Sequence, residues 1–181
     1  EVNLSIDRLF MYAAWADKYD GAAHGVPIRG LALAMHEPVG IIGMLCSDQA
    51  PLLGMVSVLA PAIAMGNTCV IVPSQAYPLM ATDFYQVLET SDLPAGVVNI
   101  VTAAHSDVVE TMAGHMEVDA LWYFAADGHS ASIEHGSVTN LKRTWVNHGR
   151  SRDWQDAKQG AGKEFLRQAT EVKNIWIPYG E

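Results

Sequence analysis

The stretch "PLLGMVSVLAPAIAMGNTCVIVPSQAYP", Pro51 to Pro78, decides the fold. From about Pro51 to Met65 it reads as a helix. Pro51 is tolerated at a first helical turn, and Gly66 suits the C-terminal end. "TCVIV" follows as a short buried strand, and Val72-Pro73-Ser74-Gln75 leaves it as an exit loop. Loops leaving strands in this way are where open α/β sheets usually hold a ligand. This exit carries no charge and no glycine.

The alternation extends both ways. Upstream, "VGIIGML" is a buried strand. Downstream come a helix over about Pro78 to Thr90, a turn at "DLPAG" and a strand at "VVNIV". Ser106 then caps a short helix, Asp107 to Ala113, and "ALWYF" is a further strand. Strands alternating with helices predict a parallel sheet with helices packed against it, joined by right-handed crossovers. Its strands centre on Ile42, Ile71, Ile100 and Trp122. The fold class is α/β, a Rossmann-like open parallel sheet with flanking helices.

The flanks read differently. "SIDRLFMYAAWADKYDG" places Ile6, Leu9, Phe10, Ala13, Ala14 and Ala16 on one helical face, and Gly21 can end that helix. "GVPIRGLALAM" reads as strand. After Gly128, "GHSASIEHGSVTN" is loop or one ragged helix, and "LKRTWVN" can be a fifth strand. "GRSRDWQDAKQGAG" is a polar, glycine-rich connector. "KEFLRQATEV" gives a helix and "VKNIWIPYG" a terminal strand. The two outlying strands project from a compact sheet with Leu31, Leu33, Ile175 and Trp176. Open apolar edges of this kind invite pairing with another module or subunit.

Bulk properties narrow the function classes. The 181 residues suffice for one domain with its own core; half are hydrophobic and 17% charged. A net charge of −9 argues against nucleic acid and anionic membrane surfaces. No apolar run is long enough to span a membrane. Cys46 and Cys69 lie in apolar runs without zinc-ligand spacing, as buried thiols of a reducing, cytoplasmic compartment do. The chain opens without a start methionine or a signal peptide, and reads as a piece of something longer.

The usual catalytic patterns are missing. Neither cysteine has a basic neighbour within a few positions to activate it. Gly40 and Gly43 lie in a strand context, wrong for a dinucleotide fingerprint. "QGAGKE" resembles the end of a P-loop without its first glycine or its Ser or Thr, so Lys163 reads as a solvated helix start. His129, His135 and His148 can meet with Asp127 or Glu134 in a loop cluster, but exposed polar loop histidines are the better account, and no metal pattern emerges. Trp122, Tyr123 and Phe124 suit core packing better than base stacking.

The long runs "HEPVGIIG", "PLLGMVSVLAPAIAMGNTCVIVPSQAYPL" and "SDLPAGVVNIVT" closely resemble the cofactor-binding domain of aldehyde dehydrogenases. "RLFMYAAWADKYDG" is similar to the helix that precedes that domain, and "EFLRQATEVKNIWIPYG" to the C-terminal segment that helps build the oligomerisation sheet. The likeness is strong over Leu9–Thr102 and Glu164–Gly180 and thin between. It implies small β oligomerisation strands beside the parallel sheet. It also implies four parts: a helix and β-hairpin leading into the domain at 1–37 as an oligomerisation element, a degenerate NAD-binding-type domain at 38–149, a linker at 150–163 replacing the catalytic domain, and a C-terminal helix and oligomerisation strand at 164–181.

Residue by residue, the resemblance implies a stripped site. The oxyanion-hole Asn of a "PWNFP"-type loop is matched by Gln49 in "SDQAP", with Asp48 at the aromatic position. The Lys and Glu that hold the adenosine ribose are matched by Val72 and Gln75. The "FTGS"-type turn near the cofactor phosphates reads "YFAA", with Ala125 and Ala126. The general-base Glu of "LELGG" is matched by Asn147, which cannot take up and release a proton near neutral pH. Only Arg150 to Lys163 stands where the family has its catalytic stretch and nucleophilic Cys, and without a thiolate no thiohemiacetal forms. The pattern is similar to the truncated second module of aldehyde dehydrogenase family 16. That likeness implies a non-catalytic structural module with no cofactor of its own. Its partners are then a catalytic NAD-dependent unit in the same polypeptide and further copies in a homodimer or homo-oligomer. The alternative is a regulatory module with weak nucleotide binding through Gln49, Ser74 and Gln75.

Overall fold

Short strands that are apolar on both faces need cover from both sides, and this chain supplies it. The computed structural model describes residues 1–178. Tyr179, Gly180 and Glu181, assigned above to the C-terminal part, lie outside the described residues. The central sheet holds β3 (Ile41–Leu45), β4 (Thr68–Val72), β5 (Val98–Ile100), β6 (Ala120–Tyr123) and β7 (Arg143–Val146), all parallel, in the order β5-β4-β3-β6-β7. The expected α/β class is found, and "LKRTWVN" does supply the fifth strand.

Period-two alternation sorts the strand residues between two cores. Ile42, Met44, Cys69, Ile71, Ala120 and Trp122 face one side. Leu45, Val72, Leu121 and Tyr123 face the other. The first side is covered by α1 (Val2–Trp15), α2 (Pro51–Ala64), α3 (Leu79–Glu89) and α6 (Lys163–Gln168); the second by α4 (His105–Gly114) and α5 (Ser130–Gly136). A 3-10 turn, Ser137–Asn140, leads into β7. Gly43 lets α4 come close: an added methyl there would lie 2.7 Å from both Leu121 Cδ1 and Met112 Cε.

Asn67 joins three elements behind the sheet. Its Nδ2 donates to Ala62 O (2.9 Å) and Ala169 O (2.8 Å), and its Oδ1 accepts from Gly40 N (3.0 Å). Gly66, at φ +86°, makes the turn that brings it there. Beside the domain lies an antiparallel sheet of β1 (Ala22–Gly25), β2 (Gly30–Pro38) and β8 (Thr170–Pro178), ordered β1-β2-β8. Leu31, Met35, Val172, Trp176 and Ile177 are exposed on it.

Several expectations are corrected. The inward face of α1 is Ser5, Arg8 and Tyr12, with Leu9 packed beside them; Phe10 is 73% exposed and Ile6 also faces out. The helix stops at Trp15, short of Gly21. Ser106 does not cap α4: the helix starts at His105, and Ser106 Oγ turns to Asp107 instead. The last helix is shorter than read, because Thr170 to Val172 are drawn into β8 by pairing with His36 to Pro38. "GRSRDWQDAKQGAG" is no loose connector. Trp154 is only 2% exposed and packs on the main core with Phe124 and Phe165. Arg8, 6% exposed, ties this segment down. Its Nη2 donates to Trp154 O (2.8 Å), and its Nη1 to Ser57 Oγ (2.6 Å) and Gly160 O. Burial lowers the pKa of Arg8, yet a guanidinium stays charged at any physiological pH.

Candidate functional site

The carboxyl ends of the parallel strands release five loops along one edge of the sheet, where open α/β folds bind ligands. The "VPSQ" exit of β4 is fixed from two directions. Asp48, from the β3 exit, accepts from Ser74 Oγ (2.5 Å) and Ala76 N (3.1 Å), and Ser74 Oγ accepts from Tyr77 N (3.2 Å). The uncharged exit therefore borrows a carboxylate from its neighbour. Val72 is fully buried in the second core, below the loop surface. Gln75 is engaged at both ends. Its Nε2 donates to Asp127 Oδ2 (3.1 Å), and its Oε1 accepts from His105 N (2.9 Å).

Asp127 is the centre of this edge. His105 Nδ1 lies 3.0 Å from its Oδ2, Tyr123 OH donates to its Oδ1, and His129 Nε2 stands 4.0 Å away. His129 N donates to Tyr123 OH in turn (3.1 Å). Burial alone raises the carboxyl pKa; the Tyr123 hydroxyl and His105 outweigh it and hold Asp127 below the usual carboxylate range. Burial, reinforced by that same carboxylate, pushes the Tyr123 hydroxyl up to about 12. His105 is fully buried, and its Nε2 has no partner among the described residues.

The other singled-out positions are also internally engaged. Asn147 Nδ2 donates to Ala125 O (2.8 Å), and its Oδ1 accepts from Gly149 N (3.1 Å). Ala125 is buried and Ala126 follows it into the turn that presents Asp127. Gln49 is exposed at the entry to α2, against the segment that carries Trp154. The imagined histidine cluster does not form. His129 joins Asp127, His148 lies 3.5 Å from Glu134, and His135 is exposed elsewhere on α5. Among the described residues no group of three His, Cys, Asp or Glu is placed to hold a metal. Both cysteines are buried, and burial raises their thiols, Cys69 to about 12. Lys163 is exposed at the start of α6, as read, with its Nζ 4.8 Å from the centre of the Trp15 ring.

Sequence reasoning missed His105, Arg8, Arg152 and Trp154. His105 carried one signal, its place just past a strand exit. The others lie in segments read as a helix surface and a connector. Arg152 Cζ stands 5.1–5.4 Å from the ring centres of Trp145, Phe165 and Phe124. Its Nη1 bonds Gln159 O (2.6 Å) and Glu164 Oε2 (3.1 Å).

A doubly covered parallel sheet with its polar loops at one edge defines an open α/β domain of dinucleotide-binding type. The aldehyde dehydrogenase family model matches residues 1–150, and the chain belongs to that family. It is 31% identical over 150 residues to an aldehyde dehydrogenase of Agaricus bisporus, covering 82% of this chain and 30% of that protein. To the mitochondrial aldehyde dehydrogenase of Rattus norvegicus it is 33% identical over 153 residues, covering 82% and 29%. Betaine aldehyde dehydrogenase of Staphylococcus aureus, solved with NAD+, superposes with a TM-score of 0.73 at 29% identity. That overlap covers 78% of this chain and 29% of that one. The chain thus spans about a third of the length of these relatives. No described helix is long and apolar enough to cross a membrane.

Proposed function

We propose that this chain is a non-catalytic module of the aldehyde dehydrogenase family with a structural, assembly-forming role, of the truncated family 16 type. The observation that carries this reading is the packing of Arg150–Lys163. Where the family has its catalytic stretch, this segment folds back onto the domain's own core through Trp154 and is held by Arg8. The cofactor positions support the same reading and do not fit NAD. Val72 is buried, Gln75 is spent on Asp127 and His105, and Ala125 adds a methyl where backbone approaches phosphate. Gln49 and Asn147 stand in for the catalytic Asn and Glu.

In this reading 1–37 and 164–181 are assembly elements, 38–149 is the degenerate cofactor domain and 150–163 closes it. The module works in the cytoplasm beside a catalytic unit of the same polypeptide, which uses NAD to oxidise aldehydes to acids, and in homo-oligomers. Titration calorimetry and thermal shift with NAD+ and NADH test it: flat traces and an unchanged Tm are expected. A micromolar affinity would sink the structural reading and favour a regulatory nucleotide site at Gln49, Ser74 and Gln75.

A further inference from the structure

The segment that stands in for the catalytic stretch also builds a cleft of about 510 Å³ against β7 and the exit of β6. That volume lies within the range of small-molecule sites. Its apolar lining is Phe124, Trp145 and Val146, and its cationic lining is Arg150, Arg152 and Lys158, with Arg152 lying against the two rings. Three of the chain's 11 Lys and Arg residues thus line one cleft of a molecule whose net charge is −9. Glu164 is the one acidic residue on the lining, and it is paired with Arg152. His148, at the rim, faces Glu134.

Arg152 is preorganised. Three aromatic rings enclose its guanidinium, and Nη1 is held by Gln159 and Glu164. Among the described residues Nη2 makes no hydrogen bond, and neither Arg150 nor Lys158 has an acidic partner. Asn147 at the floor is consumed by Ala125 and Gly149, so the cleft offers cationic donors with little acceptor capacity. One fixed guanidinium and two further cations beside an apolar lining select an anion with an apolar body. The planar fork of Arg matches a carboxylate.

We propose that this cleft binds a small organic carboxylate, its charged end at Arg150, Arg152 and Lys158 and its apolar end against Trp145 and Phe124. The proposal does not depend on the loss of NAD binding, because Arg150, Arg152 and Lys158 lie outside the cofactor positions. The test is an NMR titration of the 181-residue chain with sodium benzoate. Saturable shifts are expected, concentrated on the Trp145 indole and residues 147–152. Benzyl alcohol, the neutral analogue, should leave these signals unmoved. Arg150→Ala and Lys158→Ala change exposed side chains, and each should weaken benzoate about tenfold with an unchanged melting curve. The absence of saturable benzoate shifts, equal binding of benzyl alcohol, or variants that bind benzoate like the parent would each overturn the proposal.

Discussion

Arg8 does most to distinguish this chain from an ordinary amphipathic entry helix. Its guanidinium is buried and satisfies three oxygens: Ser57 Oγ, Trp154 O and Gly160 O. Removing it strands two buried carbonyls, so Arg8→Ala should cost about 3 kcal/mol, read from urea unfolding. Asp127 makes a pH-dependent prediction. Its folded pKa is depressed, so its stabilising effect is present above the unfolded carboxylate value and is lost as pH falls through the folded one. Asp127→Asn should therefore lower Tm at neutral pH, and the gap to the parent should close below about pH 4. A gap that persists unchanged at pH 3 would show that the carboxylate's charge contributes nothing. Arg8 was not visible as important in the sequence. Helical periodicity marks apolar faces, and Arg8 enters the core because distant residues offer it acceptors. Gln75 and Asp127 were both singled out, but their meeting depends on two strand exits becoming neighbours.

At the scale of elements, the chain was most legible where each piece carries its own signals. The helix after Pro51, the left-handed Gly66 and the apolar β4 sequence are local facts, and they recur down the chain. The parallel α/β class followed from that rhythm, whereas the strand order was not read, because it depends on which strands meet across crossovers. The segment from Arg150 to Lys163 was not legible, because Gly and polar residues are also the composition of loose loops. Its order comes from one large side chain. Trp154→Ala should cost about 3–5 kcal/mol by opening a cavity against Phe124 and Phe165. Trp154→Phe should cost much less, since the indole Nε1 has no partner among the described residues. Equal losses for the two variants in thermal unfolding would mean that ring packing is not what holds the segment. Gly160→Ala probes the same closure through the backbone, because its added methyl would meet Trp154 O and Cα.

At the scale of the whole molecule, the small sheet carries Ile177 and Leu31 on one face and Trp176, 59% exposed, on the other. If this face assembles, sedimentation should show a concentration-dependent oligomer, and Trp176→Lys should shift it toward monomer. A monomer at all concentrations would remove the assembly role. The covalent order of the chain matters here as well. β2, at residues 30–38, pairs with β8, at residues 170–178, and α1 is latched to Trp154 and Gly160. Within this domain the N-terminal elements thus wait for C-terminal partners, and contacts of such sequence separation form slowly. Until residues 154–160 leave the ribosome Arg8 lacks its main-chain acceptors, and until β8 follows one edge of β2 has no partner. Translation speed between β2 and β8 therefore sets how long that open edge is offered to other chains.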